Sequence, residues 1–285
     1  MDGGCQLHKD IKKQSNVVLG QVDFINCLPI NLPIELGEVK VDATIVNGVP
    51  SELNKKILSG EIDIAPVSSL TYIQNKDKLI PIGDLCISSN GPSDSVLLFS
   101  KFPIEELDGA KIALSPASAT SNKLLEILFK EFLNLKATFA ISSKGGVTPS
   151  LQSDDYAARL FIGDHALSEF AKMPRDVFIY DLGSLWKKHT GLPMVFGIWV
   201  VRKEILNTGQ DLPLIVNNLK QAKEIGLGSM FDKVVKKAQE KVLISKDFYN
   251  TYFQHLSYEF NDECKKGLEV FESYTESGKI QSLIA

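Results

Sequence analysis

No stretch of this 285-residue chain stays apolar for the roughly 18 to 20 residues that a bilayer span requires, so the sequence is not read as a membrane protein. Positive charge is not in excess either: 31 Lys and Arg stand against 35 Asp and Glu, a net charge of -4. That balance removes the global field that draws proteins to nucleic acid or anionic lipid, and any anionic ligand has to be held locally. The four cysteines, Cys5, Cys27, Cys86 and Cys264, lie far apart, with no Cys-x-x-Cys and no histidine at ligand spacing. A reduced, cytoplasmic chain without a metal site is the economical expectation. Residues 1–16 lack the apolar core of a secretory signal and are expected to form a loose tail. The sequence also lacks a nucleophile elbow, a Walker loop, a Gly-x-Gly-x-x-Gly fingerprint and a metal-binding helix motif, so no cofactor is expected.

What is present is a chain with 44% apolar and 23% charged side chains, enough to bury a substantial core and long enough for two units. Val17 to Ile25 is β-branched and aromatic and stops at Asn26-Cys27-Leu28-Pro29, which reads as a buried strand entering a tight turn. Pro50 opens a helix that Gly60 ends, and the short strand Ile62 to Val67 finishes at Ser68-Ser69. A faint echo follows later in the chain. Val147 to Ser150 opens a second helix, and the strand Arg159 to Ile162 ends at Gly163-Asp164-His165-Ala166-Leu167. Two α/β lobes of like construction would each present polar groups where a strand ends, where open α/β sheets bind ligands. The chain is expected to cross between lobes twice, giving a first lobe of residues 17–100 and 202–285 and a second of residues 101–201. Residues after 202 read as helical, with a start at Pro213, and pack back on the first lobe.

Candidate site residues cluster at the ends of strands. Ser115-Pro116-Ala117-Ser118-Ala119-Thr120-Ser121 precedes an apolar helical run, and neither Lys123 nor Leu124 can return a carboxylate to the free backbone donors. The hydroxyls read either as ordinary caps or, with those donors, as a cradle for an external anion. Asn26 reads as an Asx turn or as an amide that crosses a cleft, and Ser89 as a turn residue or a group at the cleft mouth. Asp164 and His165 are adjacent, without the spacing of an acid/base pair. Trp186 and Trp199 read as core or hinge packing.

Several segments together resemble the chorismate dehydratases that open the futalosine route to menaquinone: Asp23 to Pro29, Val49 to Asn54, Gly60 to Ser69, Ser95 to Ser100, Ser118 to Ser121, Gly163 to Leu167, and Tyr180 to Trp186 continuing through Thr190 to Phe196. The resemblance implies an α/β, two-lobed type 2 periplasmic-binding-protein-like fold with a central ligand cleft and two crossover strands. It implies chorismate as the small-molecule partner, converted to 3-[(1-carboxyvinyl)oxy]benzoate and water, with no nucleic acid or membrane partner. Carried over by position, Asn26 and Ser89 are the catalytic polar residues nearest the ring. Ser118, Thr120 and Ser121 form a carboxylate cradle, and Ser68 and Asp164 line the cleft. Ser93-Asp94 and His165 depart from the family's usual residues. The sister dihydroxynaphthoate synthases carry a different turn after the first strand, so Asn26-Cys27-Leu28-Pro29 favours the dehydratase. A solute-binding protein for a small carboxylate is the alternative on the same fold. For the proton removed in the reaction, the substrate's own enolpyruvyl carboxylate and His165 stand as rival bases.

Overall fold

The computed structural model describes residues 17–141, 155–173, 176–206 and 211–282. The chain enters through the buried strand β1 (Val18–Val22) and a 3₁₀ turn at Ile25–Cys27, which continues into α1 (Leu28–Glu35). The expected tight turn is thus a helix start, and Pro29 fits its first turn because the N–H it lacks has no intrahelical acceptor there. β2 (Thr44–Gly48) pairs parallel to β1, and α2 (Pro50–Ser59) begins on its proline and ends at Gly60. With φ of +88°, Gly60 is the left-handed cap that the sequence punctuation predicts. β3 (Ile64–Ser68) is wholly buried and runs straight into α3 (Ser69–Gln74), and β4 (Leu79–Ser89) leads out of this first sheet.

The second sheet is built from β5 (Val96–Ser100), β6 (Lys111–Leu114), β7 (Thr138–Ile141), β8 (Ala158–Ile162) and β9 (Phe178–Asp181). Its helices are α4 (Ala119–Ile127), α5 (Gly163–Ala171) and α6 (Leu182–Thr190). β10 (Met194–Arg202) returns to the first sheet and lies antiparallel between β3 and β4. Then come α7 (Leu212–Leu227), α8 (Phe231–Lys241), α9 (Lys246–His255), β11 (Leu256–Glu259) and α10 (Asp262–Ser282). The strand orders are β11-β4-β10-β3-β1-β2 and β7-β6-β8-β5-β9, two mixed sheets joined by two crossings.

Two departures from the sequence reading have physical causes. Sheet membership puts β5 in the second lobe and β10 in the first, so the crossings fall between Ser89 and Val96 and between Asp181 and Met194 rather than at 100 and 202. The region after 202 is not wholly helical: β11 is four residues long, too short for a period to register, and exists because its backbone pairs with β4 at Leu256 to Ser89 and Ser257 to Ser88. The strand expected over residues 159–162 is β8, and Gly163, its expected end, opens α5. The helix start expected at Val147 to Ser150 lies outside the described residues.

Each lobe has its own core. Leu19, Ile64, Trp199 and Tyr249 belong to the first, and Leu98, Leu160, Trp186 and Phe271 to the second. A fully buried side chain of this kind contributes about 1.5 to 3 kcal/mol. α10 serves both cores: Cys264 and Leu268 pack in the first, and Phe271 meets Trp186 edge-on in the second at 6.0 Å between centroids. The C-terminal helix therefore ties the lobes together instead of covering only the first.

Candidate active site

A cleft of about 670 Å³, mouth included, lies between the lobes. The turn after β1 supplies Phe24 and Asn26, the end of β3 supplies Ser68, and the first crossing supplies Ser93 and Ser95. The second lobe supplies Ser118, Ser121 and Gly163. Among the described residues, none that lines the cleft carries a charge. Instead, α2, α4 and α5 each bring a residue of their N-terminal end to the wall, Pro50, Ser118 and Gly163. Helix N-termini carry partial positive charge and free N–H donors, so such a wall suits an anion without a lysine or arginine.

Asn26 is the cleft's most distinctive group. Its Oδ1 is sealed from solvent and has no hydrogen-bond partner among the described residues. Leaving a buried amide oxygen unpaired costs about 1 to 3 kcal/mol, which makes it a candidate for pairing with a ligand. Ser118 and Ser121 stand side by side with hydroxyls 3.0 Å apart, and Ser118 Oγ accepts from the Ser121 N–H at 3.2 Å. The turn is clasped from behind, where Asn122 Oδ1 accepts from Ser115 N–H and Asn122 Nδ2 donates to the Ser115 carbonyl. The first-turn N–H groups of Ala119 and Thr120 have no intrahelical acceptor. Ser68 reaches the cleft too, with its hydroxyl already engaged by Thr71 and by Asn54 Nδ2 at 3.1 Å.

The cleft brings Asn26, Ser68, Ser118 and Ser121 together, and the other three expected residues lie outside its lining. Thr120 is fully buried, and its hydroxyl accepts the Leu70 N–H at 2.9 Å, joining α4 to α3. Ser89 is sealed behind the wall and donates to the Gly91 carbonyl at 3.0 Å. Asp164 faces the rim: Oδ1 accepts the Ile25 N–H at 2.8 Å, and Oδ2 pairs with Lys241 at 3.0 Å. His165, also outside the lining, packs edge-on against the buried Phe161 at 4.7 Å, and burial lowers its pKa. Cys27 does line the cleft, but burial, followed by the nearby Asp164, pushes its thiol up to about 12, so it is neutral at physiological pH.

Sequence reasoning passed over Ser93 and Ser95 as site residues. Their positions depend on Asp181, whose Oδ2 accepts from Ser93 N–H, Ser93 Oγ and Asp94 N–H at 3.0, 3.0 and 2.7 Å while Oδ1 caps α6 through Ser184 N–H. Ser95 Oγ lies 3.2 Å from the Tyr252 hydroxyl. The available signal was the location of these serines in a crossing segment, because a segment that joins two lobes must pass the floor of the cleft between them. Among the described residues, no group of three or more His, Cys, Asp or Glu side chains is placed to hold a metal ion, and no helix is long and apolar enough to cross a membrane.

A family model described as menaquinone biosynthesis matches residues 17–277. A chorismate dehydratase of Thermus thermophilus is 29% identical over 268 residues, covering 89% of this chain and 93% of its own length. Among solved structures, a protein of Archaeoglobus fulgidus superposes with a TM-score of 0.74 at 15% identity, over 93% of this chain and 98% of its own. The periplasmic aliphatic sulphonate binding protein of Escherichia coli gives 0.64 at 12% identity, over 93% and 88%. The architecture is thus the two-lobed one of periplasmic binding proteins.

Proposed function

Starting from the fact that this chain belongs to the menaquinone-biosynthesis family, we propose that it is a hydro-lyase that converts chorismate to 3-[(1-carboxyvinyl)oxy]benzoate and water in the cytoplasm. The relative's activity supplies the substrate class. The observation that carries the reading to this chain's own residues is the unpaired Oδ1 of Asn26 in a cleft walled by helix N-termini, with no charged side chain among the described lining residues. Chorismate bears two carboxylates, and this wall offers dipoles and hydroxyls to both.

Loss of the ring hydroxyl together with the proton on the adjacent ether-bearing carbon makes the ring aromatic, so the reaction runs strongly downhill. The proton is acidified through a ring double bond by the ring carboxylate. As it leaves, enediolate-like charge builds on that carboxylate, where Ser118, Ser121 and the first-turn N–H groups of α4 stabilise it. Asn26 orients the ring, and Ser95, which lines the cleft, bonds the departing hydroxyl. Among the described residues the lining holds no carboxylate or histidine, so the substrate's enolpyruvyl carboxylate serves as base, and the enzyme contributes orientation and electrostatics.

The test is incubation of purified protein with chorismate, followed by proton NMR. Many turnovers to the aromatic ether with release of water support the reading. Chorismate left unaltered at saturating protein overturns it and points to a binding protein of the same architecture.

A further inference from the structure

On the rim of the cleft, one carboxylate bridges the two lobes. Asp164 belongs to the second lobe, in the first turn of α5, and both of its oxygens are engaged on the first. Oδ1 accepts the backbone N–H of Ile25, the residue next to Asn26 in the 3₁₀ turn. Oδ2 pairs with Lys241 at the end of α8, whose Nζ also donates to the Asp23 carbonyl at 3.0 Å and to Asp23 Oδ1 at 2.7 Å. The side chains of Asp164 and Lys241 are 22% and 24% exposed, which shields this pair from the screening that weakens open surface pairs. The lobes meet tightly here. Gly163 holds φ of +55°, and a Cβ on it would stand 2.9 Å from the ring of Phe24, so only glycine lets α5 approach the turn this closely.

We propose that Asp164 and Lys241 form an interlobe latch, two positioning residues that close the cleft and fix the turn that presents Asn26. Each contact of Asp164 spans the gap that opens when lobes of this architecture separate, so the latch engages only in the closed form. Asp164 is then a residue that acts through Asn26 and does not touch the substrate. Lys241 is the first-lobe anchor that receives it. The catalytic consequence rests on the function proposed above, while the mechanical one does not.

Hydrogen exchange on the ligand-free full chain reads the latch directly. Protection of the Ile25 amide is expected to fall about tenfold in Asp164→Ala and in Lys241→Met, and Lys241→Arg is expected to restore it. Asp23→Asn, which alters only contacts within the first lobe, is expected to stay within about twofold of the parent. In steady-state kinetics with chorismate, Lys241→Met raises KM about tenfold with a smaller effect on kcat, because Asp164 still accepts the Ile25 N–H once bound substrate has closed the cleft; Asp164→Ala lowers kcat as well, because it deletes that acceptor. A purely structural pair would lower the melting temperature without this KM-against-kcat split and without local change at Ile25. Unchanged Ile25 exchange in both Lys241→Met and Asp164→Ala overturns the latch, and Lys241→Met alone decides it if Asp164→Ala does not fold. If the parent protein leaves chorismate unaltered, the functional proposal fails, and the exchange experiment still decides the latch.

Discussion

Tyr258, on the last strand, donates its hydroxyl to the backbone carbonyl of Asn26 at 2.8 Å, across 232 positions of sequence. The tyrosine is buried and burial raises its pKa well above the ordinary value, so it stays a donor at any physiological pH. Tyr258→Phe keeps the ring and leaves the Asn26 carbonyl without that donor. The expected cost is about 1 to 3 kcal/mol in denaturant unfolding, with a loss of turnover from a loosened Asn26 turn. A variant with unchanged midpoint and turnover would show that the bond holds nothing in place.

Asn26 itself is expected to behave in the opposite way in stability. Its Oδ1 is desolvated without compensation in the free protein, so Asn26→Ala removes an unpaired group. Unfolding free energy should stay level or rise by about 1 kcal/mol, while kcat/KM for chorismate falls about a hundredfold. Thermal denaturation beside steady-state kinetics separates the two effects. Lower stability with full turnover contradicts the assignment.

Gly226 lies where α7 meets α1, and a Cβ there would stand 1.9 Å from the Pro29 carbonyl oxygen. Backbone cannot rotate aside as a flexible side chain can. Gly226→Ala is therefore expected to cost about 3 kcal/mol in denaturant unfolding, at the upper end of overpacking effects, and to disturb the start of α1 directly after Asn26. A loss under about 1 kcal/mol would mean that the two helices slide apart freely at that point.

The pH dependence follows from Asp181. Burial raises its pKa, and the bonds from Ser184, Ser93 and Asp94 only partly offset that. A raised carboxyl holds its proton more tightly in the folded state than in the unfolded chain. Its stabilising contribution is thus complete below the unfolded value of about 4 and is lost as pH rises through the folded value. Asp181→Asn cannot titrate, so the melting temperature of the parent minus that of the variant should shrink as pH rises from acid toward neutral. A difference that grows over that range would reverse the sign and refute this assignment.

How far the sequence could be read depended on where each determinant lay. The α2–β3 unit was legible because Pro50 and Gly60 punctuate it locally, and the strands β1, β3, β5, β8 and β10 were legible as short apolar runs. β11 was not, since its only cause is the distant β4. The cleft serines divide in the same way. Ser118 and Ser121 sit at a helix start that any reader can find, whereas Ser95, in the crossing segment, lines the cleft without any local signature, and Ser89 turns to the Gly91 carbonyl. Asp164, expected to line the cleft, stands outside its lining, and its partners are beyond the reach of any spacing rule: Ile25 is 139 positions away and Lys241 lies in a helix of the other lobe. The family resemblance supplied the substrate and the order of elements. That the described residues of the wall carry no charge required coordinates.

The most direct measurement is a crystal structure of Asn26→Ala, the variant expected to turn over slowly, soaked with chorismate. Chorismate should lie between the lobes with its ring carboxylate at Ser118, Ser121 and the N-terminus of α4, its ring hydroxyl toward Ser95, and its enolpyruvyl carboxylate as the nearest base to the departing proton. Chorismate bound elsewhere, or seated in the cleft with a protein carboxylate or imidazole against that proton, would contradict the account.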